Sequence, residues 1–326
     1  MIIVTGAAGF IGGNLLRGLN AAGRTDLVAV DDLTDGSKFS NLVECDLLDY
    51  LDKDEFMASL PQRLAGVEAV LHQGACSDTR VQDGRFMLEN NYAWSRRLLD
   101  ACQDAGVPLI YASSAAVYGN SRRFIEAPQY ERPVNVYGYS KLLFDRYVRR
   151  VAVAAPARAP IVGLRYFNVY GPGERHKGAM ASMIFRLHEQ LLEDGVMKLF
   201  KGSGGYEDGD QRRDFVYIDD VTEVNLWAMH QPQVRGIFNV GCGRSRSFND
   251  VTRLLADWHG KGRVEYMDFP PDLPAAYQSF TQADISALRE AGYRKSFTGL
   301  EQGIRKYLQE LETRKVGALD SGSSPE

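Results

Sequence analysis

At 326 residues, with 44% hydrophobic and 25% charged positions, the chain has the length of two ordinary domains or one large one and a soluble globular composition, which excludes a disordered or collagen-like polymer. Lys and Arg number 38 against 42 Asp and Glu, a formal net charge of −4, too little positive charge for a protein whose main partner is nucleic acid. The cysteines Cys45, Cys76, Cys102 and Cys242 form no C-x-x-C pair and the five histidines show no two-ligand spacing, so no metal is expected.

Residues 1–5 are a β-branched apolar run that stops at Gly6, and residues 10–22 carry apolar side chains at helical intervals, which reads as strand, turn, helix. Runs at 27–30, 69–71, 108–112 and 161–167 read as further buried strands, separated by amphipathic stretches such as 86–105. The alternation predicts an α/β fold, a doubly wound parallel sheet of the Rossmann type. Beyond Gly171 the pattern changes to a helix over 179–193, a glycine-rich acidic loop over 202–209, and a strand and helix over 215–230. The expected division is a discontinuous dinucleotide-binding domain (1–170 and 212–245), a smaller α/β substrate-binding lobe (171–211 and 246–316) and a flexible Gly/Ser-rich tail (317–326). No apolar run reaches the roughly 18 residues of a spanning helix and no basic leader is seen, so a cytoplasmic protein without a membrane partner is expected.

The first chemistry-bearing segment is Gly6-Ala7-Ala8-Gly9-Phe10-Ile11-Gly12, set between a strand and a helix. Glycines there allow a tight turn and close backbone approach to a pyrophosphate seated on the helix N-terminus, although the second glycine falls one residue later than in G-x-G-x-x-G. Asp31 follows at the end of the second strand, placed for a ribose hydroxyl, and with Asp32 it favours NAD over a 2′-phosphate. Lys38 and Lys53 are placed to neutralise such a phosphate, so the residues alone leave NADP and NAD both open.

The second segment is Tyr137-Gly138-Tyr139-Ser140-Lys141, opening an amphipathic stretch. Four residues apart on a helix, Tyr137 and Lys141 share a face, and a nearby ammonium favours the ionised phenol that a general base requires. Ser114, at the carboxyl end of the fourth expected strand, is the helper hydroxyl.

The glycine turn, the strand-end serine and Y-x-x-x-K, in this order, resemble the extended short-chain dehydrogenase/reductases that act on nucleotide sugars, as do residues 165–172 and 213–221. Members that dehydrate the sugar carry an Asp-Glu pair where this chain has Ala115 and Ala116, which turns the reading towards epimerisation. Residues 73–77, 88–92, 174–182 and 277–284 are similar to the ADP-glyceromanno-heptose 6-epimerases. That resemblance implies bound NADP, an ADP-linked heptose inverted at C6 for lipopolysaccharide core biosynthesis, and a homo-oligomer, a pentamer in the family. It implies Tyr137 and Lys177 as acid/base residues, with Lys141 and Ser114 assisting. Cofactor contacts carried over are Phe10, Ile11, Asp31, Asp32, Lys38, Lys53, Gln73, Gly74, Ala75, Cys76, Ser77, Asn90 and Val169, joined by Tyr137, Lys141 and Lys177. Substrate contacts carried over are Asn168, Ala179, Arg186, Phe200, Lys201, Gly202, Ser203, Arg213 and Tyr277. Three positions depart from the family: Gln73 replaces Glu, Ala179 replaces Ser, and Arg186 replaces His; the loop at 204–211 is also longer.

Two other readings compete. One is a different nucleotide-sugar epimerase of the same branch, such as a UDP-hexose 4-epimerase. The other is a non-catalytic NADP-sensing protein, against which the intact Tyr137, Lys141 and Ser114 argue.

Overall fold

The computed structural model of the chain describes residues 1–154, 158–270 and 278–320. Its strands in chain order are β1 (Ile2–Thr5), β2 (Leu27–Asp31), β3 (Asp49–Asp52), β4 (Ala69–His72), β5 (Leu109–Ser114), β6 (Ile161–Tyr166), β7 (Asn168–Tyr170), β8 (Val196–Phe200), β9 (Arg212–Tyr217), β10 (Gly236–Val240), β11 (Ser245–Ser247) and β12 (Arg263–Met267). Seven of them form a parallel sheet in the order β10-β6-β5-β4-β1-β2-β3.

The continuous apolar runs become strands buried on both faces, as a parallel sheet between two helix layers requires. Ile2, Val4, Leu27 and Ala29 face one layer with Leu15, Leu16 and Val221, while Ile3, Val28 and Val30 face the other with Leu98, Leu99 and Phe144. Strand order reverses between β1 and β4, and ligands of such sheets bind outside the carboxyl ends at that point. The remaining strands form a three-stranded sheet, β11-β9-β7, and a parallel pair, β12-β8.

Four sequence expectations change. Strands β3, β8, β10, β11 and β12 were not anticipated, and because β3 precedes it Ser114 ends the fifth strand and not the fourth. In β3 the sequence Asp-Tyr-Leu-Asp buries Leu51 alone, the pattern of a sheet edge, and Asn239 interrupts the apolar run of β10. The stretch 86–105 is not one helix: Gly84–Leu88 and Trp94–Ala105 flank a π-helical turn, Glu89–Ala93, which buries Asn91. The Asn91 amide accepts the Cys76 N–H (2.8 Å) and donates to the Cys76 carbonyl (2.9 Å) and Ser140 Oγ (3.2 Å). The helix expected over 179–193 is Met183–Asp194, capped by Ser182, and a 3-10 turn, Arg175–Met180, precedes it. The last helix is Leu300–Asp320, overlapping the start of the expected tail; residues 321–326 lie outside the described residues.

Beneath the carboxyl ends of β5 and β6 lies a buried ionic network. Asp145, on helix Val136–Ala154, accepts from Tyr111 Oη (2.9 Å), Ser113 Oγ (2.9 Å) and Arg165 Nη2 (2.7 Å). Arg165 also reaches Glu131 (2.6 Å), which Arg149 pairs at 2.7 Å. Arg165, Asp145 and Glu131 are almost wholly removed from solvent, so removing one member leaves an uncompensated charge. Asp145→Ala is expected to lower unfolding free energy by roughly 3–5 kcal/mol in a urea titration; a loss under about 1 kcal/mol would show the network to be dispensable.

Candidate active site

A cleft of about 940 Å³ runs along the carboxyl ends of the sheet, from the glycine turn to the smaller sheets. At its near end the chain leaves β1 at Gly6 with φ +67°, and Gly9 N–H closes the turn onto the Gly6 carbonyl at 3.1 Å. A Cβ on Gly6 would stand 2.5 Å from Gly74 N, and one on Gly12 would stand 2.0 Å from the Gly6 carbonyl oxygen, so neither position has room for a side chain. Helix Phe10–Ala21 starts there without a side-chain cap, which leaves its N-terminal N–H groups to the cleft. This cradle, at the point where strand order reverses, fits the pyrophosphate of a dinucleotide.

Asp31 holds the turn in place: it accepts Ala8 N–H (2.7 Å), Asp32 N–H (2.6 Å) and Lys38 Nζ (2.9 Å). Lys38 also donates to the Asp32 carbonyl, and Lys53 pairs with the Asp32 carboxylate at 2.8 Å, holding that carboxyl well below its usual range. Both aspartates are therefore matched by a lysine. A side chamber of about 220 Å³ here is lined by Asp31, Asp32, Lys38, Lys53, Cys76 and Asn90. Gln73 lines the cleft and is fixed by Tyr166 Oη (3.0 Å) and Asn225 (3.2 Å), while Gly74, Ala75, Ser77 and Val169 complete the wall.

Tyr137 opens helix Val136–Ala154 and is hydrogen-bonded to Ser114 at the end of β5. Lys141 is 5% exposed and donates to the Ala112 carbonyl at 2.9 Å. The expected lowering of the phenol by Lys141 is not what these groups give: burial outweighs the Ser114 hydrogen bond and raises the Tyr137 pKa. Burial also pushes the Lys141 ammonium down to about 8, against the opposing pull of Asp145.

Lys177, on the 3-10 turn, reaches the same cleft with its Nζ 5.3 Å from the centre of the Phe10 ring, and burial lowers its pKa. The far end gathers Asn168, Ala179, Arg186, Phe200 and Arg213. Arg213 lies over the Phe248 ring at 5.4 Å, and Phe200 stacks on Phe269 at 4.4 Å. Lys201, Gly202 and Ser203 are not brought into this cleft; they line an adjacent open depression, where Lys201 pairs with Asp268 at 2.9 Å and Gly202 N–H is taken by Asp208 at 2.7 Å. Tyr277 lies outside the described residues. Sequence reasoning missed Gln190, Lys198, Gln211 and Met267, which line the far end. Gln190 lies on a helix, Lys198 and Met267 on the paired strands β8 and β12, and Gln211 just before β9, a pairing that was not anticipated.

Among the described residues no cluster of three His, Cys, Asp or Glu side chains can hold a metal ion, and no helix is long and apolar enough to cross a membrane.

The cleft and sheet define a nucleotide-dependent α/β enzyme of the epimerase/dehydratase class, and residues 2–241 match the NAD dependent epimerase/dehydratase family. The chain belongs to that family. It is 53% identical over 310 residues (94% of this chain, 96% of the other) to an ADP-L-glycero-D-manno-heptose-6-epimerase from Alkalilimnicola ehrlichii. The crystal structure of the Helicobacter pylori ADP-L-glycero-D-manno-heptose-6-epimerase superimposes with a TM-score of 0.83 at 33% identity, covering 95% of this chain and 96% of that one. The Thermus thermophilus UDP-glucose 4-epimerase, in complex with NAD, gives 0.79 at 28% identity, covering 95% and 98%. A nicotinamide dinucleotide is thus the cofactor class of this chain.

Two outcomes are expected. Gly12→Ala should weaken dinucleotide binding about tenfold or more in a fluorescence titration, because its methyl collides with backbone at the turn; unchanged affinity would remove the turn from the binding site. For Lys141, the unfolded chain still holds its proton between about pH 8 and 10.5 while the folded chain has released it. Unfolding free energy therefore gains up to about 1.4 kcal/mol per pH unit as pH rises through that window. Comparing wild type with Lys141→Met by denaturant titration should show the wild-type slope exceeding that of the variant by up to this amount; equal slopes would contradict it.

Proposed function

We infer that the protein inverts C6 of the heptose in ADP-D-glycero-β-D-manno-heptose to give the L-glycero epimer, by transient oxidation and re-reduction, in the making of lipopolysaccharide core. The observation that carries this reading is 53% identity along 94% of the chain to the Alkalilimnicola enzyme. It is supported by one cleft that gathers Tyr137, Ser114, Lys141 and Lys177. The UDP-hexose 4-epimerase reading has weaker support, since the structures of that activity are 26% and 28% identical.

The C–H of a carbinol is not acidic, so inversion there needs a redox partner. Gly6, Gly9, Phe10, Ile11 and Gly12 would hold the pyrophosphate, and Asp31, Asp32, Lys38, Lys53, Cys76 and Asn90, which line the side chamber, would take the adenosine ribose. We read the dinucleotide as NADP, with NAD as the alternative, because the two lysines leave the chamber near neutral in charge and open to a 2′-phosphate. Bound there, the nicotinamide supplies a two-electron acceptor and, when oxidised, a positive charge that favours the ionised phenol.

Tyr137 takes the hydroxyl proton from one side of the reacting carbon, with Ser114 holding the same oxygen. Once the ketone turns its other face, the oxygen points away from Tyr137 and needs another proton donor. Lys177, reaching the cleft from a different element, serves that orientation, and its lowered pKa brings the neutral amine closer to physiological pH. Ala115 and Ala116 after Ser114 offer no carboxylate for eliminating water, which favours epimerisation over dehydration. Arg213 and Arg186 face the diphosphate, Asn168, Ala179 and Phe200 the sugar and base. Residues 171–211 with 246–316 act as the substrate lobe on the dinucleotide-binding part (1–170 and 212–245). Assembly into a homo-oligomer belongs to the same reading.

Tyr137→Phe is expected to cut turnover of ADP-heptose, followed by carbon NMR, by about 10²–10⁴. Lys177→Met should cut it comparably, with NADP titrations unchanged for both. Turnover of UDP-galactose with ADP-heptose left untouched would overturn the substrate assignment, and undiminished activity of Tyr137→Phe would overturn the mechanism.

A further inference from the structure

Glu174 has no part in the chemistry above and yet is wholly buried, at 0% exposure, beside one of its principal residues. It stands at the head of the 3-10 turn, and its own carbonyl accepts the Lys177 N–H at 3.0 Å. Its carboxylate accepts four protein donors. Gly171 N–H (3.4 Å) comes from the start of the loop that carries Lys177, and Ser182 N–H (2.5 Å) and Oγ (2.7 Å) from its end. The fourth is Tyr307 Oη (3.1 Å), from the middle of helix Leu300–Asp320. Ser182 is in turn the N-cap of helix Met183–Asp194, so one carboxylate joins both ends of the loop to two helices.

A buried carboxylate is costly, and four hydrogen bonds from a loop, a helix cap and a distant helix make sense where a fixed geometry is required. We propose that Glu174 is a positioning residue for the second proton-transfer group: it closes the loop between Gly171 and Ser182 and holds Lys177 over the cleft with its charge balanced. The charged and titratable groups around the pair are consistent with this. Burial raises the Glu174 pKa and lowers that of Lys177, and each group opposes the other's shift by favouring its charged form. The neighbouring His176 hydrogen-bonds Asn41 (3.3 Å), and Arg175 turns outward to Glu189 (3.7 Å), so neither takes the carboxylate. Tyr307, with its pKa pushed up by burial and by Glu174, remains a neutral donor.

The proposal rests on Lys177 serving as an acid/base residue, and its test separates the two. In the holoenzyme, single-turnover reduction of the bound nicotinamide is followed by absorbance, starting from the D-glycero and from the L-glycero substrate. Lys177→Met should slow the reaction from one epimer. Glu174→Gln should slow that same epimer about tenfold or more and leave the other within about twofold, with dinucleotide affinity kept in a fluorescence titration. A folded Glu174→Gln protein that slows both epimers equally, or neither, overturns the proposal. If Lys177→Met slows neither, the assignment of Lys177 falls and the proposal with it. Should Glu174→Gln fail to fold, Tyr307→Phe, which removes one hydroxyl, should slow the same epimer about threefold; an unchanged rate overturns the proposal.

Discussion

The close approach of two chain turns without side chains, Gly6 on the loop Gln73-Gly74, is the constraint from which the rest of the molecule follows. With β1 and β4 adjacent in the sheet and the strand order reversing between them, backbone from both turns faces one opening, and any Cβ at Gly6 would close it. The open helix N-terminus, the Asp31 carboxylate that braces Ala8, and the side chamber beyond all depend on that approach. So does the proposed catalytic centre, since Ser114 and Tyr137 stand one strand further along the same carboxyl edge.

Around the cleft the protein buries cations and compensates them at a distance. Lys141 and Lys177 both lose solvent and both shift towards the neutral amine. Each has a fully buried carboxylate behind it, Asp145 for the first and Glu174 for the second, neither of which faces the cleft. Asp145 belongs to the network under β5 and β6, whereas Glu174 belongs to the loop and the last helix. The two buried lysines are thereby anchored in different parts of the fold, which suits the proposed reaction, in which Tyr137, one helical turn from Lys141, and Lys177 must meet different faces of one carbon.

The first half of this architecture was legible in the sequence because its signals are local. A β-branched run, a glycine turn and an amphipathic helix need no distant partner to be recognised, and Y-x-x-x-K fixes two side chains on one helical face. The edge strand β3 and the strand β10 were not legible, since Asp49, Asp52 and Asn239 break the apolar pattern and only pairing with neighbours makes them strands. Resemblance supplied Lys177, whose loop has no periodicity of its own. It also led to Lys201, Gly202 and Ser203, which turn into the next depression, with Lys201 paired to Asp268 and Gly202 N–H taken by Asp208. Glu174 gave no signal: a glutamate in a Gly-rich loop reads as exposed until the loop, the helix cap and Tyr307 are seen to close around it.

The central claim is that a sugar C–H bond is broken and remade on its opposite face with the same hydrogen, inside one closed site. Conversion of ADP-heptose deuterated at C6, followed by NMR and mass spectrometry of the product in ordinary water, tests it most directly. The account predicts that the product keeps its deuterium at C6 with inverted configuration. Replacement of that deuterium by solvent hydrogen in step with inversion would contradict it.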